Sequence, residues 1–358
     1  MSKKTNNNEN FNCRICYSKS IENFTLSNLI FSSKSIDWKS FYCLTCGGVS
    51  DYQIKGKEVN YTDGSYRSEK KTYNLTDSNN NDISVPLDFW SFISFKRWIH
   101  IYEIFKKNNL LTKSKKIKLL DYGGYNGFLI YALAQKIDLD PFLAELDTRG
   151  LEIAKFLGIK TINLNSQKIE HNQFDMITVV HVMEHLDSPQ KDLEILRNSL
   201  KDSGVIYIEV PNLYGFPLSD SAHKIAFSAS SLSQLLQNAN FKVLDHGYTS
   251  TPEDSVKFDY FLSNKKENLY ILAMKDKDNQ QTLSFKFPKN IKNFKFELYI
   301  SYAKILMLTV APRFLKISLK FIKRFFLYFI YGFSEYLTLK LFRFSLISKI
   351  LKKKNTKS

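Results

Sequence analysis

Glycine is scarce in this chain, with only 13 among 358 residues, so the cluster Gly123, Gly124 and Gly127 stands out. Cysteine is scarcer still: four residues cannot staple a chain of this length, and they must be explained in another way. Long apolar runs are missing. In the hydrophobic C-terminal region the longest uncharged stretch, Phe325 to Ser334, has ten residues, well short of the roughly 18 or more that a spanning helix needs. No transmembrane segment is expected. The opening Met1-Ser2-Lys3-Lys4-Thr5 and the Asn-rich run behind it have no apolar centre of the kind a signal peptide requires, which predicts a cytoplasmic address. In that reducing compartment structural disulfides are not expected.

Acidic residues are also in deficit, 35 against 51 basic ones, for a formal net charge of +16. The imbalance is local. From Ile291 onward fifteen basic residues face only Glu297 and Glu335, a net +13 that leaves +3 for everything before. A nucleic-acid enzyme spreads its basic stripe over a folded face, so a nearly neutral body argues against nucleic acid as a partner.

The glycine cluster lies in Leu119-Leu120-Asp121-Tyr122-Gly123-Gly124-Tyr125-Asn126-Gly127-Phe128, ahead of Leu129-Ile130-Tyr131-Ala132-Leu133. This reads as strand, tight turn and helix, a place where backbone approaches a nucleoside-bearing cofactor closely. The dinucleotide pattern G-x-G-x-x-G is not present. A glycine-rich turn without a ligand is the plainer alternative.

The four cysteines form two C-x-x-C pairs, Cys13/Cys16 and Cys43/Cys46, with 26 residues between the pairs. Four thiolates at this spacing close a tetrahedral structural zinc site and leave no position for catalysis. A redox pair or free thiols would be the alternatives, but redox pairs sit at a helix start beside a βαβ unit. Phe24-Thr25-Leu26 and Ser40-Phe41-Tyr42 read as short ribbon strands, and the polar stretch from Asp51 to Pro86 as a connector. Phe92, Phe95, Ile99 and Tyr102, with Trp98, Ile101 and Phe105 beside them, recur at helical spacing and predict an amphipathic helix with an aromatic core face.

Glu145 closes the apolar run Pro141-Phe142-Leu143-Ala144, 18 positions past Gly127. An acid there accepts hydrogen bonds from ribose hydroxyls in nucleotide-binding α/β folds, with Asp147 as the alternative. Next come Phe174-Asp175 opening a β-branched strand, His181-Val182-Met183-Glu184-His185, and a proline at Pro189; then Val210-Pro211-Asn212 ending the next strand, and His223 to Ser228 before a helix. Asn268 to Met274 supplies a closing strand. His181 to His185 also matches the H-x-x-E-H pattern of a zinc peptidase. That chemistry needs both histidines on one helix, and His181 ends a strand.

Asp121, Gly123 and Gly127 resemble motif I of class I S-adenosylmethionine-dependent methyltransferases, D-x-G-x-G-x-G, although Tyr125 replaces a glycine. The Phe174-Asp175 strand with its Glu184-His185 pair, and Val210-Pro211-Asn212, resemble the fourth- and fifth-strand motifs of small-molecule methyltransferases. With the N-terminal ribbon, the order resembles methyltransferases of sugars and glycans. The resemblance implies an α/β fold with a Rossmann-like seven-stranded sheet, and S-adenosyl-L-methionine held by Asp121, Gly123, Gly124, Gly127, Glu145 and His181. The expected division is a zinc ribbon at 1–55, a connector at 56–90, the methyltransferase domain at 91–284 and a helical basic region at 285–358.

A sugar hydroxyl needs a base, because it is hardly ionised near neutral pH. His181 and His223 are the candidates, with Glu184 and His185 organising a helix start. In the C-terminal region Arg313, Lys316, Lys320 and Lys323 run beside Phe314, Ile317, Phe321 and Phe325, and Lys352-Lys353-Lys354 follows. That pattern suits an interfacial helix on an anionic membrane, or a hairpin packed on the body. Sugar C-methyltransferases carry a further nucleotide-binding-like domain where this chain has its basic tail. The expected function is therefore O-methylation of a cell-surface or lipid-linked glycan, peripheral to the inner membrane face. The competing readings are C-methylation of a nucleotide-activated deoxysugar and a catalytically silent membrane adaptor.

Overall fold

The computed structural model describes residues 11–24, 39–52, 60–62, 72–76, 82–86, 94, 97–111, 116–215, 222–249, 266–276, 284–298 and 300–301. The tail expected to meet a membrane, Phe92, Phe95 and Thr25-Leu26 lie outside these residues. One compact unit runs from Met1 to Tyr302, and so takes in the start of the region that the sequence assigns to the tail.

The expected seven-stranded sheet is present. Its strands are β6 (Ile117–Tyr122), β7 (Leu139–Glu145), β8 (Lys160–Asn163), β9 (Phe174–Val180), β10 (Leu200–Pro211), β12 (Phe241–Thr249) and β13 (Asn268–Lys275), ordered β12-β13-β10-β9-β6-β7-β8. β10, β9, β6, β7 and β8 pair in parallel, whereas β13 lies antiparallel between β10 and β12. The chain runs outward from β6 to β8, then returns to build the other half from β9. The crevice at the carboxyl ends of β6 and β9 is thus the switch point where ligands bind in open α/β sheets.

Both faces of the sheet are covered, which explains strands that are apolar throughout. Alternation along β10 shows the division: Ile206, Ile208 and Val210 join one core, Val205 and Tyr207 the other. The second core is closed by α1 (Trp98–Lys107), α2 (Phe128–Ala134) and α3 (Thr148–Phe156) through Ile101, Phe105, Leu129, Leu133 and Leu151. The first is closed by α4 (Pro189–Ser199) and α5 (Ala229–Asn238) through Leu193, Leu196, Leu232 and Leu236. The register of α1 differs from the expected stripe. Ile99 is exposed, and the face against the sheet is Ile101, Ile104 and Phe105.

The cysteine module forms its own sheet, with β1 (Ile21–Phe24), β2 (Lys39–Cys43) and β3 (Val49–Tyr52). A fourth strand is lent by the half that carries the seven-stranded sheet: β11 (Ile225–Ala226) pairs antiparallel with Val49 and Ser50 of β3. Cys13, Ile15, Cys43 and Cys46 share the first core with Phe227 and Leu232, so the cysteine module and the half with the seven-stranded sheet fold as one body. The stretch read as a connector is not featureless, for it holds the hairpin β4 (Thr72–Thr76) and β5 (Asp82–Pro86). A last helix, α6 over residues 291–298, stacks Phe294 on Tyr42 with ring centroids 3.9 Å apart, while the Tyr42 hydroxyl donates to the Pro288 carbonyl at 2.6 Å.

Candidate functional site

The two cysteine knuckles have the same local form. Tyr17 and Gly47, four positions after Cys13 and Cys43, both take positive φ, and their amides donate back to the Cys13 and Cys43 carbonyls at 2.9 Å. The tight turns aim the amides of Ile15 and Thr45 at the Cys13 and Cys43 sulfurs at 3.4 Å. Across the module Cys13 and Cys46 Sγ are 3.7 Å apart, and Cys16 and Cys43 Sγ 3.6 Å. Bonds of about 2.3 Å to one tetrahedral zinc ion set sulfurs at about 3.8 Å from one another, so the four thiols fit that ion as they stand.

The glycine loop follows β6, at the switch point. Gly123 and Gly127 have φ of +71° and +74°, and Tyr125 takes the same left-handed region at +52°. A tyrosine there costs on the order of 1 kcal/mol, so the loop keeps a conformation suited to glycine although the sequence departs from it. The Tyr125 ring is turned onto Gly150 of α3. Gly124 cannot be anything else, because a Cβ on it would lie 2.1 Å from Asp121 Oδ2.

Asp121 is buried. Thr178 donates to its Oδ1 at 2.8 Å, and Oδ2 has no hydrogen-bond partner. Burial pushes this carboxyl up to about 7, opposed by the Thr178 bond and helped by the charge of Glu145. An orphaned acceptor beside Gly124, which has no side chain to cover it, fits a cofactor that brings N–H donors and positive charge. Folding binds the Asp121 proton more tightly than the unfolded chain, whose carboxyl titrates near ~3.9. The ligand-free protein is therefore expected to lose stability as pH rises from that value through about 7, since the folded state then holds more protons than the unfolded one. Thermal unfolding against pH checks this; Asp121→Asn should flatten the slope.

Glu145, at the end of β7, braces the loop. Its Oε2 accepts from the Tyr125 amide at 2.8 Å, and its Oε1 from the amides of Leu146 at 2.7 Å and Asp147 at 3.1 Å. Oε1 is thus fully used, while Oε2 keeps a further lone pair for a ribose hydroxyl. Asp147 is engaged elsewhere, since its Oδ1 caps α3 by accepting from the Gly150 amide at 2.9 Å.

Across the crevice Val182 lies so near the loop that a Cβ on Gly123 would meet it at 2.6 Å. His181, just before it, takes φ of +55° at the end of β9, with its amide donating to the Glu209 carbonyl. Met183–His185 then form one 3₁₀ turn, not the helix of a peptidase site. Arg97 Nη2 is 2.9 Å from His181 Nε2, and arginine can only donate. His181 Nε2 is therefore an acceptor, and Nδ1–H faces Glu184 Oε1 at 3.3 Å. Arg97 also pairs with Glu209 at 3.2 Å, and Tyr207 donates to Glu209 at 2.7 Å. Reasoning from sequence missed Arg97, Tyr207 and Glu209. The one signal for them was an acid inside the apolar run Ile206 to Val210 of β10.

His185 and His223 reach the same carboxylate, Nε2 to Glu184 Oε1, at 3.9 and 4.0 Å. The His223 segment is held by the Lys224 amide, which donates to the Glu184 carbonyl at 2.7 Å, and by the pairing of β11. Burial drives the Glu184 carboxyl upward, but the approach of His181 and the charges of His185, His181 and His223 override it and hold it down to about 2. The site thus presents one ionised carboxylate inside a ring of three imidazoles.

Comparison with known proteins agrees with this geometry. Residues 89–246 match a family model described as a methyltransferase domain. This stretch, 158 of the 358 residues, has the methyltransferase fold. S-adenosylmethionine is the cofactor expected of that fold, and the loop from Asp121 to Gly127 with Glu145 comprises the residues that would hold it. A curated relative is the ubiquinone biosynthesis O-methyltransferase of Haemophilus ducreyi, 27% identical over 135 residues, 33% of this chain and 56% of the relative. The chain thus spans little more than half that relative's length. Similar solved structures include S-adenosylmethionine-dependent methyltransferases from Clostridium acetobutylicum, 15% identical with a TM-score of 0.37 over 53% of this chain and 93% of that one, and from Archaeoglobus fulgidus, 16% identical with a TM-score of 0.39 over 52% and 100%.

Proposed function

We propose that the protein transfers the methyl group of S-adenosylmethionine to a hydroxyl oxygen of a sugar in a cell-surface or lipid-linked glycan. The observation that carries this reading is the ring of imidazoles around Glu184, placed across the crevice from the glycine loop. Bound there, the cofactor supplies an electrophilic methyl carbon. The chain's own residues must then orient the acceptor, exclude water and take a proton.

His181 is poorly suited to take it, since Arg97 occupies Nε2 and Nδ1–H faces Glu184. His223 is the better base. Once protonated, its ring would lie 4.0 Å from the ionised Glu184 carboxylate, which favours the imidazolium. Oxygen as the target also agrees with the name of the Haemophilus relative. The sugar class rests on the order of ribbon and methyltransferase motifs, and the membrane-side acceptor on the +13 charge of the C-terminal region.

The test is transfer of labelled methyl from S-adenosylmethionine into a membrane glycan fraction, comparing the full chain with one ending at Tyr302. Label appearing in nucleotide-activated sugars as a carbon-bound methyl would instead support C-methylation. Calorimetry with S-adenosylhomocysteine guards against the adaptor reading, for which no binding is expected. Glu145→Ala should weaken that binding by about 10-fold or more, as it removes the ribose acceptor and frees the Tyr125 amide.

A further inference from the structure

The surroundings of Glu184 call for a cation. Its side chain is 1% exposed, and beyond the long approach of His181 Nδ1–H to Oε1 at 3.3 Å its carboxylate oxygens have no hydrogen-bond partner. Leaving a buried carboxylate in that state is costly unless a positive charge lies against it. The His185 tautomer sharpens the point. Its Nδ1 is 3.0 Å from the Ala222 carbonyl, which can only accept, and 3.2 Å from the Tyr61 hydroxyl. Nδ1 therefore carries the proton. Neutral His185 then turns the bare Nε2 toward Glu184 Oε1 at 3.9 Å, too far for a hydrogen bond even if Nε2 were protonated. His223 directs Nε2 at the same oxygen, and the three ligand atoms all lie within 4.8 Å of one another.

We propose that Glu184, His185 and His223 bind one divalent transition-metal ion, separate from the ion of the four cysteines. Ligand atoms about 2.1 Å from a common ion stand about 3.4 Å apart in tetrahedral geometry, so the present separations of 3.9 Å, 4.0 Å and at most 4.8 Å need to close by about 0.5 to 1.5 Å. The bond from His185 Nδ1 to a backbone carbonyl is the outer support that fixes a ligating imidazole. Two imidazoles and a carboxylate select zinc, cobalt or iron(II) over magnesium, which prefers oxygen and keeps its waters. Three protein ligands also leave coordination positions open, and the acceptor's oxygen atoms are their natural occupants. That last consequence rests on the methyl-transfer reading; the binding of the ion does not. With the ion in place Glu184, His185 and His223 would hold it, and it would supply Lewis acidity that lowers the pKa of a coordinated hydroxyl enough for the proton to pass to solvent water, so that His223 would act as a ligand in place of a base.

The experiment uses the full chain, purified and then treated with EDTA mildly enough to leave the four-cysteine ion in place. Cobalt(II) is added while visible absorption is followed, and total metal per chain is counted by mass spectrometry. The expected result is one ion before addition and two after it, with His223→Ala and Glu184→Gln stopping at one. Cobalt affinity in His223→Ala should fall by about 100-fold or more, at least the loss seen for outer-shell partners. Uptake of no second ion by the unaltered chain would overturn the proposal, as would an undiminished second ion in His223→Ala. Glu184→Gln alters a buried position, so near-ultraviolet circular dichroism must match the parent before its count is used; His223→Ala, on the loop, carries the test otherwise. S-adenosylhomocysteine calorimetry on the same samples separates the two readings: a second ion without cofactor binding would sink methyl transfer and leave the metal site standing.

Discussion

His223→Ala is expected to lower the turnover number by about 100-fold or more while S-adenosylhomocysteine binds as before. That is the range over which a positioned acid or base usually contributes. The expectation follows from where the residue stands. Asp121, Glu145 and the glycine loop belong to β6 and β7, whereas His223 precedes β11 on the other side of the crevice, so losing it leaves the cofactor's contacts intact. Steady-state kinetics beside calorimetry gives the answer: a variant with full activity would remove His223 from the chemistry. Wild-type turnover after EDTA then divides the two roles. Indifference to chelation marks a base, and restoration by added metal marks a ligand.

The second large effect is expected from Cys43→Ser. The altered protein should lose the ribbon's ion, melt about 10 °C lower and lose most of its methyl transfer. For a body of this size 1 kcal/mol moves the melting temperature by about 2–4 °C, and removing a ligand from a buried metal site ranks with the larger single-residue losses. Damage spreads because Cys13, Cys43 and Cys46 lie in one core with Phe227 and Leu232, and because β3 holds β11 in place. Arg14 pairs with Asp187 at 2.9 Å as a further tie between the two halves, and Lys224 meets the same carboxylate at 2.6 Å. Calorimetric unfolding with a zinc count checks it; an unchanged melting temperature in zinc-free protein would show the ribbon to be an independent appendage.

What was legible in the sequence is what local chemistry decides. The cysteine spacing, the glycine loop, the acid ending β7 and the apolar strands each declare themselves within a few residues. Asp147 was resolved from Glu145 only by a cap, the bond to Gly150, which is a matter of three-dimensional placement. Ile99 misled because helical spacing defines a stripe, while the sheet chooses which stripe it buries. The buried cluster of Arg97, Tyr207 and Glu209 was invisible for a similar reason: its members are distant in sequence, and β10 shows only one acid among apolar neighbours. The meeting of His223 with Glu184 likewise depends on β11 joining a sheet that begins near the N-terminus.

The stacking of Phe294 on Tyr42 bears on how the charged tail can be removed without harm. Shortening the chain directly after β13 would strip the cover from a tyrosine at the heart of the cysteine module, and the injury would be mistaken for a requirement for membranes. A cut beyond residue 301 spares that contact, so only the longer version can report what the basic extension itself contributes.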